Sequence, residues 1–212
     1  MRKLFLSCAC ALALAIPAAV VAQQLPRPKE FYFDDDAAVT RPIVAIEGSD
    51  GETIAQLARL MERGGRNSER AIAQLAHLSM ASGRIENGRA LYANAVAAAG
   101  ARSQQRHAVQ WNYAWDLYRA GDFEGALAQW QEAFANRLSA PSWVPPTMAL
   151  ALWKLDRRRD AVDWYAAAVR TEPQLWSDAA RLPSLLPDWT AADLETLAEV
   201  HAAWVLAPPS WP

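Results

Sequence analysis

The hydrophobic and polar positions divide the chain into three parts. Residues 4–22 are uncharged and almost wholly apolar, residues 23–50 combine prolines with an acidic cluster, and the remainder is rich in Ala, Leu and Arg. No proline occurs between Pro42 and Pro141, while glycines fall at positions 64/65, 83, 100 and 121. Glycine commonly ends helices because it adopts the left-handed conformation without strain. The pattern therefore predicts helices over 52–63, 68–82, 86–99, 103–120, 123–136, 144–155, 158–171 and 190–206.

The segments on either side of the helical hairpins have a different pattern. Residues 23–50 are expected to form an extended N-terminal segment that lies over the first helices or remains partly mobile, because a single strand is not stable alone. After residue 173, Pro183 and Pro187 allow a short helical turn around 174–181 and then a bend. Thr190 is a predicted N-cap with Asp193 three residues later, so residues 190–206 are expected to form a terminal capping helix.

Two segments of the helical region are similar to each other at an offset of 35 residues. Residues 113–134 align with residues 148–169, and a weaker copy at residues 75–96 precedes the middle one by 38 residues. The aligned positions share small residues, which are Ala76, Ala114 and Ala149 in the first helices and Gly88, Ala126 and Ala161 in the second helices. They also share an aromatic residue followed three positions later by alanine, namely Tyr92, Trp130 and Tyr165 before Ala95, Ala133 and Ala168.

This pattern resembles the tetratricopeptide repeat as it occurs in exported bacterial proteins. The resemblance covers residues 69–173, with repeats at about 69–102, 107–140 and 142–175. It departs from the usual pattern at Asp156, which replaces the turn glycine, and at Gly88, where alanine is usual. The resemblance implies an all-α fold: a right-handed α-solenoid of about three helical hairpins over residues 51–173, with flanking helices and a capping helix and tail over residues 174–212.

The N-terminus carries the features of a secretory signal peptide. Arg2 and Lys3 precede the apolar residues, and small residues at their end predict cleavage after Ala22 and a periplasmic or secreted location. An uncleaved membrane anchor is the alternative, since an apolar run of this length just spans a bilayer. Cleavage removes Cys8 and Cys10, which excludes disulfides from the mature chain. It leaves 19 basic against 23 acidic residues, a net charge of about −4 that favours neither nucleic acid nor an anionic membrane as a partner.

Catalytic and metal-binding motifs are not evident in the sequence. The three histidines, His77, His107 and His201, lie in distant segments, and the acidic residues 34–36 lack the spacing of a calcium loop. We therefore expect a protein that is not an enzyme and has no cofactor and no metal. Glu52, Glu62 and His77 are the nearest candidates for an unrecognised hydrolase site.

All ten tryptophans follow residue 110. The resemblance implies that the first helices of the repeats line a concave groove that holds peptides. The partner-binding residues expected on this face are His77, Trp111, Trp115, Tyr118, Arg119, Trp143, Trp153 and Lys154. Aromatic rings beside Arg119 and Lys154 suit an extended or helical polypeptide with apolar side chains.

The favoured function is therefore an exported, non-enzymatic scaffold or adaptor that binds a protein or peptide partner in this groove. Three alternatives remain open. In the first alternative, the aromatic residues of this face bind no partner, because they are covered by the N-terminal segment, with Phe31 and Phe33 as the covering residues, or by the C-terminal cap. The chain is a structural accessory subunit of an envelope complex that acts through its convex face or Trp211. The third alternative is a hydrolase.

Overall fold

The computed structural model describes Pro28 and residues 37–65, 67–100, 103–135 and 140–210. Residues 69–173, which carry the resemblance to the repeat, therefore belong to the described part of the chain except for residues 101–102 and 136–139. The predicted signal peptide with its cleavage after Ala22, the aromatic residues Phe31 and Phe33, the acidic cluster and Trp211 lie outside the described residues.

The described part of the chain is all-helical and contains no β-strand. Its helices are α1 (Gly51–Arg63), α2 (Ser68–Ala81), α3 (Ile85–Ala98), α4 (Gln104–Arg119), α5 (Phe123–Phe134), α6 (Val144–Lys154), α7 (Arg158–Thr171), α8 (Pro173–Trp176), α9 (Leu182–Leu185) and α10 (Ala191–Leu206). Short 3-10 turns occupy Ala37–Val39 and Ala179–Arg181. All eight predicted helices are confirmed, with their ends within two residues of the expected positions.

The helices pack in consecutive pairs. The closest associations join α2 to α3, α4 to α5 and α6 to α7, while α1 packs on α2, and α10 packs on α6 and α7. Every small and aromatic position shared by the three sequence copies is buried, including Tyr92, Trp130 and Tyr165, which have no exposed surface. The three copies thus contribute equivalent positions to one core.

Close helix packing explains the glycine at position 88. A Cβ atom there would lie 2.2 Å from Cγ of Met80 and 3.0 Å from the backbone oxygen of Ala76, so α3 approaches α2 where a side chain would clash. The turns between paired helices follow one conformation as well. Gly83, Gly121 and Asp156 have φ angles of 81°, 84° and 57°, which lie in the left-handed region that favours glycine.

The segments outside the hairpins close the two ends of the core. The N-terminal turn packs on α4, and residues 41–50 continue across α4 and α2 to Asp50, whose side chain accepts a hydrogen bond from the Thr53 amide at 2.7 Å and caps α1. At the other end Thr190 and Asp193 form the predicted capping box of α10. Among the described helices, none is both long enough and apolar enough to cross a membrane.

Candidate ligand-binding cavity on α2 and α4

A cavity of about 900 Å³ lies on the exposed side of α2 and α4. Its floor is formed by the two helices, and its sides by residues 40–49 of the N-terminal segment and by the loop before α10. The side chains that line it include His77, Tyr92, Trp111, Trp115, Asp116, Arg119, Trp143 and Trp189. The cavity therefore combines aromatic walls with a polar floor, which is the usual composition of a ligand site.

The polar floor is centred on Asp116, whose side chain is only 4% exposed. Its Oδ2 atom accepts a hydrogen bond of 2.6 Å from the Tyr92 hydroxyl, and both carboxylate oxygens lie 3.0 Å from Nδ1 of His77. Nη1 of Arg119 lies 3.5 Å from Oδ1. Three donors from α2, α3 and α4 thus compensate for the burial of the carboxylate.

Burial and the Asp116 carboxylate decide the protonation of the two neighbouring rings. Burial, followed by the carboxylate charge, raises the pKa of Tyr92 well above its usual value, so the hydroxyl stays protonated and donates. The hydrogen bond to Asp116 raises the pKa of His77 above 6.5, although partial burial opposes this shift. Because Nδ1 is engaged by Asp116, Nε2 of the half-exposed imidazole is the nitrogen that can meet a ligand, as a donor when the ring is protonated.

The aromatic walls come from α4 and from the loop before α10. The Trp115 ring packs edge-on against Trp189, with centroids 5.3 Å apart, and against Trp111 at 6.3 Å. The Arg119 guanidinium lies 5.4 Å from the centroid of Trp115, within the range of a cation–π contact. Through these contacts Trp189 fixes the loop beside the α4 end of the cavity.

The opposite side of the cavity is formed by residues 41–46 of the chain itself. Nδ2 of Asn112 donates to the carbonyl of Arg41 at 3.0 Å, and its Oδ1 accepts from the Ile43 amide at 3.2 Å. Oε1 of Gln74 accepts from the Ala45 and Ile46 amides at 2.7 and 3.0 Å, and its Nε2 donates to the Ile46 carbonyl at 2.6 Å. Side chains of α2 and α4 therefore already hold polypeptide main chain on this face.

The residues expected to bind a partner are distributed over two places. Five of them line the cavity, namely His77, Trp111, Trp115, Arg119 and Trp143. Tyr118 is buried below it against Phe123 and Trp130. Trp153 and Lys154 lie elsewhere on α6, where Trp153 is engaged by α10 and α7. Its Nε1 donates to Glu199 at 2.8 Å, and Arg158 lies 3.9 Å from its ring centroid.

Several cavity residues were not predicted from the sequence, and one of them had a detectable signal. Asp116 occupies the repeat position that holds Leu78 in the first copy and Ala151 in the third. A carboxylate at a position that is otherwise apolar indicates a buried polar contact. Trp189 gave no such signal because it lies outside the repeated segments. Tyr92 gave none because its place at the shared aromatic position already predicted a role in packing.

The described part of the chain contains no group of three or more His, Cys, Asp or Glu residues that could hold a metal ion. Glu52 and Glu62 are exposed on α1 and do not line the cavity beside His77. No family model, curated protein or solved structure matches the chain.

Proposed function

We propose that this chain is an exported, non-enzymatic adaptor of the tetratricopeptide type, in which the three helical hairpins form a right-handed solenoid. Its partner is a polypeptide that binds in the cavity on α2 and α4. The proposal for the repeat is supported by the burial of the shared small and aromatic positions and by the left-handed turn at Gly83, Gly121 and Asp156.

The observation that carries the function is the composition of the cavity. Its walls offer aromatic rings for apolar side chains, and its floor offers the half-exposed groups of His77 and Arg119 for a polar or acidic group. Its volume accommodates a few amino-acid side chains and not a folded domain. A polypeptide is favoured over a small molecule because Gln74 and Asn112 already hold polypeptide main chain at the edge of the cavity.

A peptide-display selection against the full mature chain tests this function. Selected peptides are titrated by fluorescence anisotropy against the wild type and the Arg119→Gln variant, which removes the charge and keeps a polar side chain. We expect Arg119→Gln to weaken binding at least fivefold. Lys154→Gln is the matched control, because Lys154 is an exposed lysine on α6 outside the cavity, and we expect unchanged affinity.

Two outcomes would count against the function. Failure to select any peptide would exclude a polypeptide-binding cavity of useful affinity. Equal loss of affinity in the Arg119 and Lys154 variants would place the binding surface elsewhere or make it a general charge effect.

One arrangement in the cavity favours a second candidate function. A carboxylate on Nδ1 of a histidine orients the ring and raises its basicity, which is how hydrolases prepare a general base. His77 would then activate water through Nε2. Fluorogenic ester and peptide substrates test this candidate, which requires turnover by the wild type that His77→Gln abolishes.

A further inference from the structure

Residues 41–46 contact α2 and α4 through main-chain hydrogen bonds and through the partly buried side chains of Ile43, Ala45 and Ile46, which pack on the core. The side chain of Asn112 forms hydrogen bonds with the main chain of Arg41 and Ile43. The side chain of Gln74 does the same with Ala45 and Ile46, and each side-chain amide is both donor and acceptor. Nη2 of Arg70 adds a bond of 2.8 Å to the Val44 carbonyl. Bonds to main-chain N–H and C=O groups do not depend on side-chain identity, so such a face tolerates many sequences.

The two amides occupy the same position of consecutive repeats. Gln74 and Asn112 are 38 residues apart, which is the offset between the first two sequence copies. Their bonding sites on the segment are about three residues apart. One side-chain amide from each of the first two sequence copies therefore holds the main chain of the segment.

The hydrogen bonds of Gln74 affect how the segment can leave. Gln74 is 5% exposed with the segment in place, and withdrawal of the segment would replace three hydrogen bonds to main chain by bonds to water. A second polypeptide backbone can restore the same bonds, so exchange of one chain for another keeps contacts that simple opening loses.

We propose that residues 41–46 are an internal ligand of the polypeptide-binding face. An incoming polypeptide displaces them, and its main chain takes over the hydrogen bonds to Gln74 and Asn112. The segment thereby lowers the affinity of the face until a partner with a better fit to the adjoining cavity arrives. This inference rests on the proposed function and adds the main-chain mode of recognition and the way access of the partner is regulated.

The segment itself supplies the probe. A fluorescein-labelled peptide of residues 40–47, with the sequence Thr-Arg-Pro-Ile-Val-Ala-Ile-Glu, is titrated by anisotropy into the wild type and into the double variant Ile43→Gly/Ile46→Gly. These substitutions remove the two isoleucines that pack on the core and leave the face intact. We expect the double variant to bind the peptide at least tenfold more tightly. Adding Asn112→Ala is expected to reverse this gain.

A chemically matched peptide separates backbone recognition from side-chain burial. N-methylation at the Ile43 and Ile46 positions keeps the side chains but removes two of the amide donors. The methylated peptide is expected to bind the double variant at least tenfold more weakly than the parent peptide. Equal affinities of the two peptides, or equal affinities of wild type and folded double variant for the parent peptide, would overturn the proposal.

Hydrogen exchange in the wild type decides the question if the double variant does not fold. The amides of Ile43, Ala45 and Ile46 are expected to exchange faster when a display-selected peptide is bound. Unchanged protection at saturation would refute displacement while leaving the proposed function standing. If no selected peptide binds and the probe binds neither protein, both proposals fail.

Discussion

Nδ1 of His77 lies 3.0 Å from both carboxylate oxygens of Asp116, and this contact joins α2 to α4 across 39 residues of sequence. The pair lies in the floor of the cavity, with Asp116 buried and the imidazole half exposed. Because the contact pairs a titratable ring with a carboxylate, the packing of α2 on α4 is expected to be sensitive to pH.

The first prediction concerns the pH dependence of stability. The pKa of His77 is raised in the folded state, so the protonated ring stabilises the fold fully below the unfolded value of about 6.5. This contribution is lost as pH rises through the folded pKa. We expect the stability difference between wild type and His77→Gln to shrink over that range, as measured by denaturant unfolding between pH 5 and 9.

The size of this effect is limited by solvent. Half of the imidazole is exposed, so we expect the pH-dependent part to stay below about 1 kcal/mol. His107 and His201 are present in both proteins and cancel in the comparison. A difference that is constant with pH would show that the ring acts by packing and not by its charge.

The second prediction separates two tyrosines at equivalent repeat positions. The Tyr92 hydroxyl donates to the Asp116 carboxylate at 2.6 Å, whereas the Tyr165 hydroxyl donates to the Trp176 carbonyl at 2.8 Å. Both residues are fully buried. Hydrogen bonds to charged groups contribute about 1.5–3 kcal/mol and neutral ones about 1 kcal/mol. We therefore expect Tyr92→Phe to reduce the free energy of unfolding more than Tyr165→Phe does.

Denaturant unfolding at pH 7 measures both variants under the same conditions. The Tyr165→Phe variant controls for the loss of a buried hydroxyl as such. If the two substitutions reduce the free energy of unfolding equally, His77 and Arg119 would compensate for the burial of the Asp116 carboxylate without the hydrogen bond from Tyr92.

The helices were predictable from the sequence because their signals are local. Glycines end α1, α2 and α4, and Thr190 and Asp193 begin α10, so each boundary depends on a few neighbouring residues. The cavity depends instead on contacts across long separations. His77 meets Asp116, and Gln74 meets residues 45 and 46, through packing that no short window of sequence encodes. The cavity positions of Trp111 and Trp115 were predictable because the two residues lie four apart on one face of the first helix of a sequence copy.

The third prediction tests the close approach of α3 to α2. Gly88→Ala places a Cβ 2.2 Å from Cγ of Met80 and 3.0 Å from the Ala76 carbonyl, and overpacking of this kind costs about 1–3 kcal/mol. The helix propensity of alanine recovers up to about 1 kcal/mol. We expect a net loss of stability in thermal unfolding. Gly51→Ala in α1 is the control, since its Cβ meets nothing within 4 Å, and it should be neutral or stabilising.

The last prediction concerns the turn between α6 and α7. Asp156 has a φ angle of 57° where Gly83 and Gly121 stand in the other copies, and a side chain in this region is strained. Asp156→Gly removes the strain and gives up an exposed ion pair with Arg158, whose contribution is small. We expect thermal unfolding to show a gain of up to about 1 kcal/mol. Gly121→Asp adds the same side chain at a φ of 84° and should destabilise the protein. If the unfolding temperatures of both variants shift in the same direction, the backbone angle does not govern the stability of these turns.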